Sequence, residues 1–272
     1  MVASERIHVY CWDARPYPAF PYDTEAWGDG PNWRLGHWIT GRMGAAPLAE
    51  TVARILGDYE FADHETGGLS GTLDGYVIDR IMSPRAALQS LELAFFFDSL
   101  ETGARVVFRQ RGAEPPAAVL AGDDLVETKP DEGRLALTRA QETELPASAK
   151  IRFVSASGDY AEAVAEARRL AGASGRVAQA DLPIVMEPEA AARIADTWLF
   201  EPGAARETAS FTLPPSLMAL EPGDAVEIET GAGTRLLRIT DIGDHGARDV
   251  GARGLDADVY GAPPAPFRPG KS

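Results

Sequence analysis

Leu48, Val52, Ile55 and Leu56 recur at the spacing of one helix face, with polar residues between them. The pattern predicts a helix entered at Pro47, where a first helical turn tolerates proline, and stopped near Gly57. Thr72 to Ile81 then reads as a strand with Leu73, Tyr76, Ile78 and Ile81 partly buried. Ser83-Pro84 opens a second helix, Ser as N-cap and Pro at the first helical position. Leu88, Leu91, Ala94, Phe95 and Leu100 give that helix a core face, and the run Phe95-Phe96-Phe97 buries it on more than one side. Glu101-Thr102-Gly103 turns the chain into a strand from Ala104 to Arg111, so residues 46–112 read as a helix–strand–helix–strand unit.

Gly112 to Pro116 is a linker, after which the texture becomes β-rich. Val119 to Val126 and Arg134 to Arg139 read as short strands flanking an acidic turn, and Lys150 to Ala156 as another strand. Asp159 to Leu170 is Ala-rich, with Tyr160, Ala163, Val164, Ala167 and Leu170 on one helical face, so propensity predicts helix. Leu182 to Met186 is a strand, and Pro188 to Phe200 a helix striped by Ala191, Ile194, Ala195, Trp198 and Leu199. Phe211 to Leu213, Ala225 to Glu229, Leu236 to Ile242 and Ala252 to Tyr260 are short strands parted by Pro/Gly/Asp turns, the pattern of a small barrel or sandwich. Within Leu220-Glu221-Pro222-Gly223-Asp224, Pro presets φ at one corner and Gly supplies positive φ at the next.

The first residues differ from all of this. Ile7, Val9, Tyr10 and Trp12 form a continuous apolar strand of the buried, parallel kind. It runs into the Pro-rich, aromatic loop Asp13 to Pro21 and then a Trp/His segment, Trp27 to Trp38. That succession is how the last strand, loop and helix of a β/α barrel would read, with Gly41, Gly44 and Pro47 marking its end.

The formal net charge of the 272-residue chain is -15, and its arginines are scattered without a basic stripe, which argues against nucleic-acid binding through phosphate neutralisation. Hydrophobic residues make up 45%, enough for real cores. The single cysteine, Cys11, excludes an intrachain disulfide and reads as a small core residue. Met1 to Arg6 lack the apolar segment of a signal peptide, and no run approaches the ~20 apolar residues of a membrane span. Cytoplasmic synthesis is the expectation.

Candidate chemistry is sparse. Asp13, just past a strand end, with Glu25 and Asp29 in the loop, suggests the paired carboxylates of a glycosidase, but the barrel strands that would complete such a site are missing. Trp12, Trp27, Trp33 and Trp38 suit either sugar stacking or a packing cluster. His8, His37, His64 and His245 are far apart, and Asp241, Asp244 and Asp249 around His245 do not follow an EF-hand spacing. Gly270-Lys271-Ser272 lacks the leading Gly of a phosphate loop, and Gly68-Leu69-Ser70 lacks the closing Gly of a nucleophile elbow. No catalytic, cofactor-binding or metal-binding residue is therefore assigned, and no cofactor is expected.

The opening strand and loop, followed in order by Tyr76-Val77-Ile78-Asp79-Arg80, Asp123-Asp124-Leu125-Val126, Arg139 to Pro146 and Phe211 to Ser216, resemble one family over nearly the whole chain. It is the large tail-tip proteins of gene transfer agents and related siphophages, in which the edge of a TIM-barrel-like region continues into a tail hub. The resemblance implies an α+β fold: a small α/β unit plus β-barrel-rich hub domains, with an N-terminal TIM-barrel remnant. Its divisions are a remnant at 1–45, a peripheral helix–strand domain at 46–116, a β-rich ring-forming region at 117–262 with an inserted helix near 188–200, and a Pro-rich tail or linker at 263–272. In this family the segment corresponding to 159–170 is often extended. The resemblance further implies a non-enzymatic homotrimer at the virion tail tip. Its partners would be the tail tube or a distal tail protein above, tip or fibre proteins below, and a tape-measure protein or passing DNA in the lumen. The alternative is a cell-wall-degrading glycosidase fragment or a carbohydrate-binding module of the tail tip.

Overall fold

Two separate hydrophobic cores organise the chain in this computed structural model, which describes residues 18–27, 45–78, 80–112, 115–127, 133–158, 160–169, 174–244 and 247–261. In chain order, the first stretch contains the helical turn α1 (Ala19–Tyr22), β1 (Ala46–Pro47), α2 (Leu48–Asp58), β2 (His64–Gly68), β3 (Thr72–Leu73) and β4 (Gly75–Tyr76). It continues with α3 (Pro84–Phe95), β5 (Phe97–Thr102) and β6 (Arg105–Gln110). After the linker come β7 (Ala118–Leu120), β8 (Leu135–Arg139), β9 (Ser148–Ser155), β10 (Glu162–Arg168), β11 (Val177–Met186) and α4 (Pro188–Ala205). The remainder is β12 (Glu207–Leu213), β13 (Ala225–Thr230), β14 (Gly233–Asp244), β15 (Arg248–Gly254) and α5 (Asp258–Gly261).

The first core gathers Leu48, Val52, Leu91, Phe97 and Phe108 with Ile151, Phe153, Ile184 and Leu199, so it joins residues that lie on both sides of the linker. Around it stand α2, α3 and α4, a four-stranded sheet of order β10-β9-β11-β4, and a three-stranded sheet of order β2-β6-β5. The second core, with Phe211, Leu213, Val226, Ile228, Leu237, Ile239 and Val250, lies on a six-stranded sheet of order β7-β13-β14-β15-β12-β8. That sheet is antiparallel except for the pairing of β7 with β13. Among the described residues its end strands β7 and β8 do not pair with each other, so the expected barrel is here an open sheet. The chain passes from the first core to the second near residue 116, returns at Ser148 and leaves again after Ala205, and α5 comes back against α4.

Local chemistry explains most elements. The Ser83 hydroxyl accepts from the Ala86 N–H at 3.2 Å, and Pro84 needs no partner at the first helical position, so α3 starts where its sequence says. It stops at Phe96, which adopts a left-handed conformation (φ 52°) normally left to glycine. The expected core face therefore ends with Phe95, and Leu100 belongs to β5, half of a hairpin with β6 turned at Gly103 (φ 63°). Pro47 is the N-cap of α2 rather than a first-turn residue.

Three further expectations are corrected. Residues 162–168 form β10, a strand and no helix, paired with β9 along its whole length. Ala165 and Ala167 are buried in the first core with Ala191 and Ala195 of α4, and small side chains on both elements let helix and sheet approach closely. Tertiary pairing overrides alanine's helix propensity here. The expected strand over 72–81 ends at Tyr76. Its pairing with β11 stops at Tyr76 opposite Ile184, next to Pro183, which has no N–H to give, and Val77 N donates to the Pro183 carbonyl at 2.9 Å. Val77 and Ile78 are about half exposed and Ile81 fully so. The strand expected over 252–260 is likewise the end of β15 followed by α5.

Candidate functional site: the junction between the lobes

Charged side chains, with little apolar packing, hold the two lobes together. On one side of the junction the Arg109 guanidinium pairs with Asp224 and lies 3.9 Å from Glu221, whose carboxylate also accepts from the Thr102 hydroxyl at 3.2 Å. The Asp224 carboxylate in turn accepts from the Glu221 N–H at 2.8 Å, which fixes the turn that carries both acids. Gly223 at the tip of that turn has φ 94°, as the Pro-Gly corner predicts, and lies against the Leu100 side chain.

On the other side a chain of four charges crosses the gap. Arg111 donates to Asp98 through Nη2 at 2.8 Å and to Glu201 through Nη1 at 2.8 Å. Asp98 also pairs with Arg238 of the second lobe at 2.6 Å, and Glu201 accepts from the Tyr260 hydroxyl at 2.7 Å. Burial by itself would lower the Arg111 pKa, but the hydrogen bonds and charges of Asp98 and Glu201 outweigh it and hold the guanidinium above its ordinary value. Burial first, and then the negative charge of Glu201, raise the Tyr260 phenol above the ordinary tyrosine range. Removing either partner would leave a largely buried charge uncompensated.

Tyr260 is the apex of this arrangement. Its ring meets Phe96 edge-on, centroids 5.8 Å apart, and lies over Gly112, where a Cβ would overlap it. Gly112 has φ 68°, so the residue that begins the linker must be glycine for both reasons. The Thr197 hydroxyl donates to the Val259 carbonyl at 3.4 Å and ties α5 to α4. Beside the second of these groups lies a cleft of about 440 Å³, lined by Asp98, Arg111, Glu201, Arg238, Arg253 and Tyr260 among others. A second groove of about 580 Å³ runs between α3 and the end of the four-stranded sheet, lined by Tyr76, Met82, Phe153 and Leu182.

Among the described residues, those singled out for chemistry do not converge. Asp13, Asp29, Trp12, Trp33, Trp38, Cys11, His8, His37, His245 and Gly270-Lys271-Ser272 lie outside the described residues. Glu25 is exposed, and Trp27 meets Phe20 edge-on at 6.1 Å. His64 sits in β2 with Nδ1 2.9 Å from the Phe61 carbonyl. Ser70 donates to Gln110 at 2.6 Å. Asp241 accepts from Thr240, Asp244 pairs with Arg248, and Asp249 accepts from Thr212, so each acid has its own partner. Among the described residues no three His, Cys, Asp or Glu side chains are grouped to hold a metal ion, and no helix is long and apolar enough to cross a membrane. Sequence reading missed the junction because the ion pairs that cross it join residues a hundred or more positions apart. Only the Arg111-Gly112 and Pro222-Gly223-Asp224 punctuation pointed there.

An α+β chain of two lobes on this plan is the fold of virion tail proteins. It is similar to the tail protein of Neisseria meningitidis MC58, with TM-score 0.54 and 11% identity over 80% of this chain and 69% of that one. It is also similar to the prophage MuSo2 43 kDa tail protein of Shewanella oneidensis, with TM-score 0.50 and 14% identity over the same shares. At such identities the likeness is one of fold. A chain of the native gene transfer agent virion is 36% identical with TM-score 0.76, covering 87% of this chain and 53% of that one, so this chain spans about half the length of that relative. The model of the family described as "Putative phage tail protein" matches residues 83–242, and the chain belongs to that family. No curated protein matches the sequence.

Proposed function

We propose that this chain is a structural hub subunit of a virion tail tip, joining the tail tube to the tip and surrounding the channel used for delivery. The observation that carries the reading is the 36% identity, over 87% of the chain, to a chain of the native gene transfer agent virion. The family resemblance adds the finer features: three copies around the tail axis, the divisions at 1–45, 46–116, 117–262 and 263–272, and neighbours above and below in the tail. A non-catalytic role agrees with a junction whose acids are engaged in ion pairs. The -15 net charge suits a surface past which DNA moves without binding.

The test is gold labelling with an antibody to this chain, imaged by electron microscopy on purified particles. Label confined to the tail tip is the expected result. Label elsewhere on the particle, or on none, would overturn the hub role.

A further inference from the structure

The two lobes have separate cores, and what lies between them is polar and incompletely filled. A boundary of that kind permits relative motion of the units it joins, in contrast to a large apolar interface. Two features say where the motion would occur. The last turn of α4 contains Pro202 and Gly203, which weaken the helix ladder, and α4 passes into β12 through Arg206 without an intervening loop. Gly254 at the end of β15 packs directly on the Ala204 carbonyl, so the lobes touch backbone to backbone at this soft end of α4, in the wall of the cleft.

We propose that the junction is a latched hinge: the lobes pivot at the soft end of α4, and the helical turn α5, through Tyr260, is the strap that keeps them closed. The strap is part of the chain that has already left the second lobe, yet its ring contacts and its hydrogen bonds to other elements go to the first lobe and the start of the linker. Thr197 holds its backbone, Glu201 holds its hydroxyl, and the ring covers Gly112 and Phe96. Gly112 and Phe96 both have positive φ, a conformation that non-glycine residues such as Phe96 adopt at a cost. The Arg111 N–H donates to the Phe96 carbonyl at 2.8 Å, so the backbone at the start of the linker and the strained residue are clamped as one unit under the same ring. Arg111 then carries the clamp into the second lobe through the Asp98 carboxylate it shares with Arg238. Lifting Tyr260 removes the cover from the linker and one of the two partners of Glu201 in a single step.

The experiment measures the distance between spin labels in the two lobes of the full chain by double electron–electron resonance. Labels replace the exposed Glu189 and Glu229 (Glu189→Cys, Glu229→Cys) in a Cys11→Ser background. A single narrow distance is expected with Tyr260 present, and Tyr260→Ala should broaden the distribution by about twofold or more as closed and open states both become populated. Amide exchange at Ile151 and Ile228, one in each core, should stay slow, showing that the lobes remain folded. A distribution of unchanged width in Tyr260→Ala would overturn the latch. If those amides lose protection, Tyr260→Phe decides, since it keeps the ring and loses only the hydrogen bond to Glu201: broadening supports the latch, and a width equal to that of the parent overturns it.

Discussion

Arg109 and Asp224 stand 115 residues apart in the chain and close an ion pair between the lobes, with the Asp224 side chain only 12% exposed. Asp224 has a second task, since its other oxygen holds the Glu221 N–H. Asp224→Ala should therefore lower stability by about 2 kcal/mol, because it leaves a half-buried guanidinium and a turn amide without their acceptor. Asp224→Asn, which keeps an oxygen for the turn, should cost less. Urea denaturation of both variants checks the order.

Gly112 and Gly57 predict opposite responses to the same change. Gly112→Ala meets both a φ of 68° and the Tyr260 ring, and should destabilise by roughly 2 kcal/mol or more. Gly57 lies in α2 with open space where a Cβ would stand, so Gly57→Ala should stabilise by about 0.8 kcal/mol. Thermal melts of the two variants beside the parent settle the contrast.

Alkaline pH should loosen the protein through Tyr260. Its folded pKa is raised by burial and by Glu201, against the smaller opposing influence of Arg111 and Arg238. Below the ordinary tyrosine value of 10.0 both the folded and unfolded chains keep the proton, and this stabilising contribution is complete. As pH rises past that value, the unfolded chain loses the proton first and stability falls until the folded pKa is passed. Tyr76, also raised by burial, adds to the same slope. Stability curves measured above pH 10 should fall less steeply for Tyr260→Phe, and equal slopes would show that Tyr260 contributes nothing.

Ser83 is the one side chain that caps α3. Ser83→Ala should cost about 1 kcal/mol, and Ser83→Asp, which retains an acceptor at the helix start, should recover most of it. Equilibrium unfolding compares the three proteins.

These residues also show what a sequence reveals. Ser83-Pro84, the stripe of α2 and the Pro222-Gly223 corner are local: cap, period and turn act within a few residues, and the structure repeats them. Residues 162–168 carry an equally clear helical pattern, yet their backbone is committed by β9, and by α4, whose small residues face the same alanines. Nothing in Glu162 to Arg168 itself encodes that neighbour. The exposure of Ile78 and Ile81 has the same origin, since the pairing of their segment with β11 stops at Tyr76, next to Pro183, a hundred residues later. The junction is the extreme case, since the pairs that cross it, Arg109 with Asp224 and Asp98 with Arg238, join distant residues, so its charges read in sequence as scattered surface residues.

The interleaving of the two cores sets a timetable for synthesis. The first core needs Leu199, so it cannot close until α4 has been made, although α2 and α3 were made long before. The second needs Val250, while its end strands β7 and β8 emerge before the first core is complete and wait for β13 and β12 to pair with them. During that interval the edges of β7 and β8 are open to any strand that comes near, including those of another nascent copy. A slow and late closure follows, the first lobe ahead of the second. A chain stopped between Ala205 and Val250 would carry one finished lobe and two stranded edges, a form inclined to aggregate.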